Sequence, residues 1–390
     1  MKSATINRIF SIDILRGLVM IIMAIDHTRD FFHSTAMTAD PLNEQTTTAA
    51  LFFTRWITHF CAPIFVLLSG LSAYLSSQNK KIYEASAFMI KRGLWLVFVE
   101  LTIVTLGLTF NPFYNFIILQ VIWAIGWSMI ILGLMIRLSY TTILITSLIL
   151  VLCHNIFDFI SLPPTGVAHT VVTLLFKGNS VFALSSNHVI GDFYAVIPWT
   201  GVMLLGYSLG PWFAKEFDRE KRQRLLLLAG SLLIVVFVVL RLTRIYGDPQ
   251  EWKPGEHGLL SFLNTSKYPP SLQYCCMTVG PALILLALFE KIQWGWTKVV
   301  SVYGRVPFFY YILHFYILHT VLVAVFYLSG HSSSQIADPQ SPFAFRPIHF
   351  GYGLPVVYLI WLCVVAALYL PCRWFNQYKL THSDWWLKYV

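Results

Sequence analysis

Charged residues are scarce in this chain. Asp, Glu, Lys and Arg make up only 12% of the 390 residues, whereas hydrophobic residues make up 57% and the mean hydropathy is +0.66. Soluble globular proteins carry roughly 25% charged residues, so the composition excludes a chain whose whole surface faces water. The 13 Trp, 19 Tyr and 30 Phe are typical of bilayer proteins, in which aromatic side chains gather at both interfaces. The sequence therefore predicts an integral membrane protein.

Cysteine pairs and the short motifs of soluble enzymes are also lacking. The six cysteines contain no CxxC pair and most lie within or beside apolar runs, which favours small buried hydrophobes over disulfides or metal ligands. GxSxG, HExxH, GxxxxGK[ST] and GxGxxG do not occur. No clustered His and Asp spacing favours a metal, so no metal is predicted. The net charge of +9 comes from short, separated basic clusters, so nucleic-acid binding is not expected.

Long apolar runs fill most of the sequence. A spanning helix needs about 20 mostly apolar residues, and ten stretches qualify. They are 10–28, 51–76, 87–109, 114–136, 141–160, 194–213, 224–243, 272–290, 306–328 and 352–371. The apolar stretch 166–186 is broken by polar residues, so we predict a re-entrant or interfacial segment there, with an eleventh span as the alternative. The predicted fold class is all-α, a polytopic transmembrane helix bundle that forms one domain over residues 1–390.

The two sets of loops differ in charge. Most of the 27 Lys and Arg residues fall at one set of span ends, from Lys2 and Arg8 at the start to Lys388 near the end. By the positive-inside rule these ends are cytoplasmic, which places both termini inside. The longer loops are then all outside, and nine of the 12 histidines lie on or near that outer side. This asymmetry predicts an outward-facing site, although outer loops also collect polar residues that have no function.

Ionisable residues are concentrated in the first predicted span. Asp13 and Arg16 are three positions apart and can pair on a helix. Arg16 and His27 are 11 positions apart, almost three full turns, so both point the same way about 16 Å apart along the axis. Residues of this kind are costly in lipid and usually face a cavity or one another. We expect a polar face along this helix; the alternative is a structural Asp13–Arg16 pair with an interfacial histidine.

His27 is the first candidate for a general base. Asp30 follows at i+3 and could orient the imidazole, if the helix continues that far. Asp26 is adjacent in sequence but about 100° around the helix, so we expect it to face another helix or solvent. His33 lies one further turn or loop step along the chain.

Several segments resemble one known family. The first span with its flanks, RIFSIDILRG at 8–17 and DHTRDFFH at 26–33, resembles the start of the heparan-alpha-glucosaminide N-acetyltransferase catalytic-domain family. Similar segments run along almost the whole chain. They are PIFVLLSG at 63–70, IPW at 197–199, GVMLLGY at 201–207, KYPPSL at 267–272 and GRVPFFYYILH at 304–314. The spacing from Arg16 to His27 also resembles the arginine–histidine motif of the wider superfamily of transmembrane acyltransferases, which includes the acyltransferase-3 family.

The resemblance implies a multi-helix membrane acyltransferase. Such proteins move an acyl group, here expected to be acetyl, from cytosolic acyl-CoA to a hydroxyl or amine of a glycan-type acceptor outside the cytoplasm. The expected location is a bacterial cytoplasmic membrane with the active site toward the outer side, and a homodimer is a further expectation. In the lysosomal member of the family an asparagine matches His27, and the proposed catalytic histidine matches His33 most nearly. The sequence therefore leaves the base as His27 or His33.

This reading assigns the remaining polar residues to two groups. Basic groups at the cytoplasmic mouth would complement the phosphates of the carrier, because a guanidinium binds phosphate through paired hydrogen bonds. The predicted carrier-binding residues are Arg16, Arg92, Arg305 and Gln120. The predicted substrate or oxyanion contacts are His59, Tyr310 and His314. Packing is the alternative for Gln120, and a helix-to-helix hydrogen bond is the alternative for His314.

Two further polar residues lie within predicted spans. His319 is five positions and about 140° from His314 on the same helix, so the two cannot serve one face. Glu100 is expected to pair with Arg16 or else to extend toward the interface.

Two other classes of protein share some of these features. A small-solute transporter or channel with an outward-facing polar cavity would also have many spans and buried charge. An inverted repeat would support that reading; none is evident, and the charge is concentrated in one helix. A non-catalytic scaffold is the third reading, and it would gain little from burying Asp13, Arg16, Glu100 and His27.

Overall fold

The chain is largely helical, and its computed structural model describes residues 9–160, 166–255, 257–338 and 341–390. Helices account for 69% of the residues and strands for 4%. Lys2 and Arg8, which entered the prediction of orientation, lie outside the described residues. The chain forms two compact units. Unit 1 comprises Met1–Cys61, Thr102–Phe116 and Gln293–Val390, and unit 2 comprises Ala62–Leu101 and Ile117–Ile292.

Fifteen α-helices and three short strands lie in the described part of the chain. The helices are α1 (Phe10–Phe32), α2 (Ala49–Thr58), α3 (Cys61–Ser77), α4 (Ile82–Val99), α5 (Thr105–Thr109), α6 (Val121–Met135), α7 (Tyr140–Cys153), α8 (Val167–Val172), α9 (Val196–Ser208), α10 (Arg219–Thr243), α11 (Gly258–Leu263), α12 (Leu272–Phe289), α13 (Gly295–Arg305), α14 (Pro307–Leu328) and α15 (Leu354–Thr381). The strands are β1 (Phe116–Leu119), β2 (Ser180–Ala183) and β3 (Val189–Asp192). A π-helical turn, Glu100–Val104, joins α4 to α5.

Six helical segments are long and apolar enough to cross a membrane. They are Ala49–Ser77, Tyr140–Phe159, Arg219–Thr243, Leu272–Phe289, Pro307–Leu328 and Leu354–Thr381. Each lies on one of the ten predicted spans. The other four predictions fall on α1 and α4, which carry more charge, and on α6 and α9, which have only 15 and 13 residues. The structure thus shows an integral membrane protein with six spans that length and composition alone identify.

The all-α prediction needs one correction, because the structure contains a three-stranded sheet in the order β1-β3-β2. The predicted span 114–136 begins as strand β1 and becomes helical only at Val121. Its first residues, Phe-Ile-Ile-Leu, are aromatic and branched, which suits a strand as well as a helix. The backbone N–H of Phe193 donates to the carbonyl of Leu119 at 3.2 Å, which continues the pairing beyond β3.

The stretch 166–186 forms a short helix and a strand. Val167–Lys177 is helical, with α8 followed by a π-helical turn, and β2 begins at Ser180. Its helical part has 11 residues, about half of what a bilayer crossing needs. β2 then pairs antiparallel with β3, with Ser180 opposite Asp192. This segment therefore has the length of an interfacial or re-entrant element.

Unit 1 is built around α1. Near its start α1 crosses α13 in antiparallel fashion, since Gly17 lies against Val300 while Gly304 lies against Asp13. Farther along, α1 runs parallel to α14: His27 contacts the ring of His314, and Phe31 contacts the ring of His319. These two neighbours meet Asp13, Arg16 and His27 of α1.

In unit 2, the side chain of Arg241, near the end of α10, makes several hydrogen bonds to backbone carbonyls. Its guanidinium is 2% exposed and donates to the carbonyls of Ser261 and Asn264, each at 2.6 Å. It also donates to Gln250 O at 2.6 Å and to Phe262 O at 3.0 Å. Because a guanidinium carries five donors in a fixed plane, this one side chain fixes the segment that links α10 to α12 and contains α11.

Candidate functional site

One end of α1 carries a compact group of charges. Asp13 Oδ1 lies 3.9 Å from Arg16 Nη1, as the i,i+3 spacing predicts, and Asp13 Oδ2 lies 3.6 Å from Arg305 Nε. Arg16 also donates to the carbonyl of Gly304 at 3.3 Å. Two guanidiniums thus share one carboxylate, which leaves an excess of positive charge at this end of unit 1. Arg305 remains the more accessible, at 32% side-chain exposure, so it can meet a ligand from solution.

Close packing of the backbone brings Arg16 and Arg305 together. A Cβ on Gly17 would collide with the carbonyl oxygen of Val300, and a Cβ on Gly304 would collide with that of Asp13. Small residues let two membrane helices approach in this way. The predicted carrier-binding residues Arg16 and Arg305 therefore belong to one cluster, and Asp13 is the site residue that joins them.

Farther along α1, His27 lies among aromatic rings of α14. Its ring centroid is 5.2 Å from that of His314, with 49° between the ring planes, and 4.5 Å from that of Phe315. The His27 side chain is 13% exposed. Its Nδ1 lies 3.9 Å from Asp30 Oδ2, a pairing distance that exceeds hydrogen-bond length. The structure thus brings two of the predicted site histidines, His27 and His314, into ring contact.

His314 is fully buried and its two ring nitrogens differ in environment. Nδ1 bonds the backbone carbonyl of Tyr311, one turn earlier on α14. Nε2 has no hydrogen-bond partner among the described residues. Tyr310 stacks on His314, with centroids 5.8 Å apart and 16° between the planes, and its own hydroxyl is buried and likewise lacks a partner in the described ranges. His314, which contacts the ring of His27, and the neighbouring Tyr310 thus each have a buried polar group without a hydrogen-bond partner in the described residues, whereas proteins normally satisfy such groups.

A carboxylate–guanidinium network surrounds the C-terminal part of α1. Asp26 pairs with Arg55 of α2 and with Arg29, the latter at 3.2 Å. Arg29 also donates to Asp30 Oδ1 at 2.6 Å. Asp26, Arg29 and Arg55 are each less than 15% exposed, whereas Asp30 is 30% exposed. Asp26 therefore faces another helix, which is one of the two expectations for it, and both carboxylates take part in ion pairs.

His33 caps the end of α1 and occupies a different environment from His27. Its Nδ1 accepts the backbone N–H of Thr35 at 3.3 Å and lies 3.0 Å from the Thr35 hydroxyl. Its carbonyl accepts a bond from Arg346 Nη2 at 2.7 Å, and its strand-like backbone pairs with Tyr352. Burial lowers the pKa of His33, and the charges of Arg29 and Arg346 lower it further. His33 is thus a neutral capping residue near neutral pH.

The remaining predicted residues lie elsewhere in the two units. His59 is fully buried in unit 1 where α2 ends. Arg92 is half-buried on α4 of unit 2, and Gln120 precedes α6, where its backbone N–H donates to Glu100 Oε1 at 2.6 Å. Glu100, for which we expected Arg16 as partner, thus has a partner at the start of α6. The structure places Arg92 and Gln120 in the same unit as each other.

Sequence reasoning did not select three residues that matter here. Arg55 and Arg346 were not singled out, although a basic residue inside the predicted span 51–76, such as Arg55, already indicates a buried partner. Asp192, at the end of β3, was not considered. Its carboxylate is fully buried, and burial raises its pKa to about 7. Its position beside an apolar predicted span, 194–213, did not distinguish it from an ordinary loop residue.

The described residues contain no group of three or more His, Cys, Asp or Glu that could hold a metal ion. The arrangement on α1, α13 and α14 offers a pair of guanidiniums at one end of α1, the mostly buried imidazole of His27 farther along, and two buried polar groups on α14, which are His314 Nε2 and the Tyr310 hydroxyl. Such a set can bind a phosphate-bearing molecule and move a proton.

Comparison with known proteins gives the family. The family model for the catalytic region of heparan-alpha-glucosaminide N-acetyltransferase matches residues 8–240, which is more than half of the chain and includes α1. No curated protein matches the chain. The match confirms the resemblance drawn from 8–17 and 26–33, and it supports a transferase activity of the acetyltransferase type. This membrane protein belongs to the heparan-alpha-glucosaminide N-acetyltransferase catalytic family.

Proposed function

We propose that this protein transfers an acetyl group from cytosolic acetyl-CoA to a hydroxyl or amine of a carbohydrate-type acceptor on the outer side of the membrane. The observation that carries the proposal is the layout of α1, which has Arg16 beside Arg305 at one end and His27 about 16 Å farther along. Membership of an acetyltransferase family supports the same chemistry.

The proposed topology has ten spans with both termini in the cytoplasm. The parallel arrangement of α1 and α14 supports it, because the first and ninth predicted spans then run in the same direction. The basic end of α1 would face the cytosol and His27 would lie nearer the outer side. A bacterial cytoplasmic membrane and a homodimer belong to the same proposal.

The donor would bind through its phosphates to the guanidiniums of Arg16 and Arg305. Asp13 holds both side chains in place without cancelling their combined charge. Charge-assisted hydrogen bonds from a guanidinium to a phosphate are roughly twice as strong as hydrogen bonds between neutral groups. Arg92 and Gln120 stay predicted carrier-binding residues.

His27 would act as the general base. It removes the proton from the acceptor hydroxyl or amine while the acceptor atom bonds to the acyl carbon. The carbon–sulfur bond of the thioester then breaks, and the leaving thiolate takes the proton back from His27. Positioned general-base catalysis contributes about 10²- to 10⁴-fold. The buried hydroxyl of Tyr310 is the candidate donor to the oxyanion, since it has a proton to give and no partner in the described residues.

The geometry favours His27 over His33 for this role. A general base needs a ring nitrogen whose lone pair is available to the substrate. In His33 the Nδ1 lone pair already accepts the N–H of Thr35, so the neutral ring carries its proton on Nε2. Asp30, which we expected to orient His27, and the candidate catalytic residue Asp26 would act by holding the ion-pair network around α1.

The test is acetyl transfer from labelled acetyl-CoA in proteoliposomes. We expect wild-type protein to form acetylated acceptor, His27→Ala to lose at least about 10²-fold in turnover, and His33→Gln to retain most of it. His382→Gln, a substitution at an exposed histidine, is the matched control. Wild-type turnover in both His27→Ala and His33→Gln would refute the assignment of the base. Net solute movement without acetylated product would instead indicate a transporter.

A further inference from the structure

We propose that His314 is a positioning residue for His27, and that the two imidazoles work as a pair during acetyl transfer. This inference rests on the proposed function and deepens it. His314 lies outside residues 8–240, so the family match assigns it no role. Sequence reasoning gave it a part in binding the substrate or the oxyanion; the geometry points to a different one.

The tautomer of His314 follows from its backbone contact. A carbonyl oxygen can only accept a hydrogen bond, so the bond between Nδ1 and Tyr311 O requires the proton to be on Nδ1. In the neutral ring Nε2 then carries a lone pair and no proton. A ring in this state cannot donate to an oxyanion through Nε2, but it can accept a hydrogen bond there.

His27 is positioned to supply that bond. Four rings among the described residues contact His314, and they belong to His27, Tyr310, Tyr311 and Phe315. Tyr310 and Tyr311 also carry a donor, their hydroxyl, but of these four rings only the imidazole of His27 has both a ring N–H to donate and a second nitrogen that can take up a proton. With centroids 5.2 Å apart and tilted by 49°, nitrogens on the facing edges of the two imidazoles can approach to hydrogen-bond distance. Phe315, 4.5 Å from His27, restricts the ring from turning away.

The pair would act on the proton-transfer step. One nitrogen of His27 takes the proton of the acceptor as the new bond to the acyl carbon forms and the carbon–sulfur bond breaks. The other nitrogen keeps its proton and donates it in a hydrogen bond to His314 Nε2, which strengthens as His27 becomes positive. The proton then passes from His27 to the thiolate, so His314 ends the cycle unchanged. An orienting group behind a catalytic imidazole does the same in other acyl-transfer sites.

Two substitutions at His314 test the roles of its two ring nitrogens separately. An Asn side chain reaches the Nδ1 position and can keep the bond to Tyr311 O, whereas a Gln side chain places its amide near Nε2. We expect His314→Asn to lose about 10²-fold in kcat and His314→Gln to stay within about tenfold of wild type, with KM for acetyl-CoA unchanged in both. A merely structural histidine would give the reverse order, because its only bond in the described residues is through Nδ1.

His319→Gln is the matched control. His319 is a second fully buried histidine on α14, it stacks on Phe110, and its Nε2 bonds the carbonyl of Ala344 at 2.9 Å. We expect it to retain wild-type kcat. If His314→Asn matches the kcat of wild type, or if its loss lies in KM, the inference is wrong.

A double-mutant cycle distinguishes the loss of an interaction with His27 from an independent loss of activity caused by misfolding. If the two histidines act as a unit, His27→Ala/His314→Asn will be no slower than His27→Ala alone. Additive losses would overturn the pairing. The wild-type rate in the same proteoliposomes distinguishes failure of the pairing from failure of the proposed function. If wild type transfers acetyl and His314→Asn is unaffected, only the pairing is refuted. If wild type transfers no acetyl, the proposed function and the pairing are both refuted.

Discussion

Gly17 of α1 and Gly304 of α13 face each other at a crossing that has no room for a side chain. An added Cβ would meet the carbonyl oxygen of Val300 at the first position and that of Asp13 at the second. Because Arg16 and Arg305 are the immediate neighbours of these glycines in sequence, the crossing sets the distance between the two guanidiniums and Asp13.

Gly304→Ala should therefore weaken the fold and the donor site together. Overpacking a close contact typically costs about 1–3 kcal/mol, and pushing α13 away from α1 would lengthen the bond from Arg16 to the carbonyl of Gly304. We expect a lower melting temperature in detergent and weaker acetyl-CoA binding. Gly295→Ala is the control, since nothing lies within 4 Å of the Cβ that it adds on the same helix. Equal melting temperatures for the two variants would contradict the role of the crossing.

Replacing either guanidinium should weaken donor binding through the phosphates alone. A hydrogen bond to a charged group is worth about 1.5–3 kcal/mol, so Arg16→Gln and Arg305→Gln should raise the Kd for acetyl-CoA roughly 10- to 100-fold. The Kd for S-acetylpantetheine, which has no phosphate, should not change. Arg224→Gln, at a side chain 83% exposed on α10, serves as the control. A Kd for acetyl-CoA that stays at the wild-type value in both variants would remove these residues from the donor site.

The two carboxylates near His27 should differ in what they stabilise. Asp26 is 11% exposed and pairs with both Arg29 and Arg55, whereas Asp30 is 30% exposed and pairs with Arg29. Removing one partner of a buried pair typically costs about 3–5 kcal/mol. We expect Asp26→Asn to lower the melting temperature clearly more than Asp30→Asn, with apparent unfolding followed by Trp fluorescence. The opposite order would show that Asp26 is not the centre of the network.

Local spacing predicted the contacts that lie within one helix. The i,i+3 pair of Asp13 and Arg16 forms, although at 3.9 Å, and the 140° between His314 and His319 gives them different neighbours. Hydropathy predicted the helix-rich membrane class and placed a predicted span on each of the six helical segments that are long and apolar enough to cross a membrane. These features depend on one helix and its solvent, which a single sequence describes well.

Contacts between distant segments could not be predicted in the same way. Nothing near Gly17 in the sequence identifies Gly304 as its partner, and the same holds for His27 and His314. The apolar run that contains β1 fits a strand and a helix equally, so only its pairing in the sheet decides between them. Without these long-range contacts, His314 was assigned by its residue type alone and Asp13 was seen as a partner of Arg16 only.

Asp192 should make the stability of the protein depend on pH. Burial raises the pKa of its carboxyl to about 7, against about 3.9 in an unfolded chain. Between these values the folded state holds a proton that the unfolded state has lost, so the contribution of Asp192 to stability falls as the pH rises from about 4 to 7. Each pKa unit corresponds to about 1.4 kcal/mol.

Asp192→Asn removes this dependence on pH. The free energy of unfolding of Asp192→Asn should therefore rise relative to that of wild type by about 3–4 kcal/mol as the pH increases from 4 to 8. Melting temperatures of wild type, Asp192→Asn and the exposed control Glu251→Gln, measured in detergent across that range, provide the check. A difference between wild type and Asp192→Asn that stays constant with pH would mean that the carboxyl ionises alike in both states, and that water or another group reaches it in the folded protein.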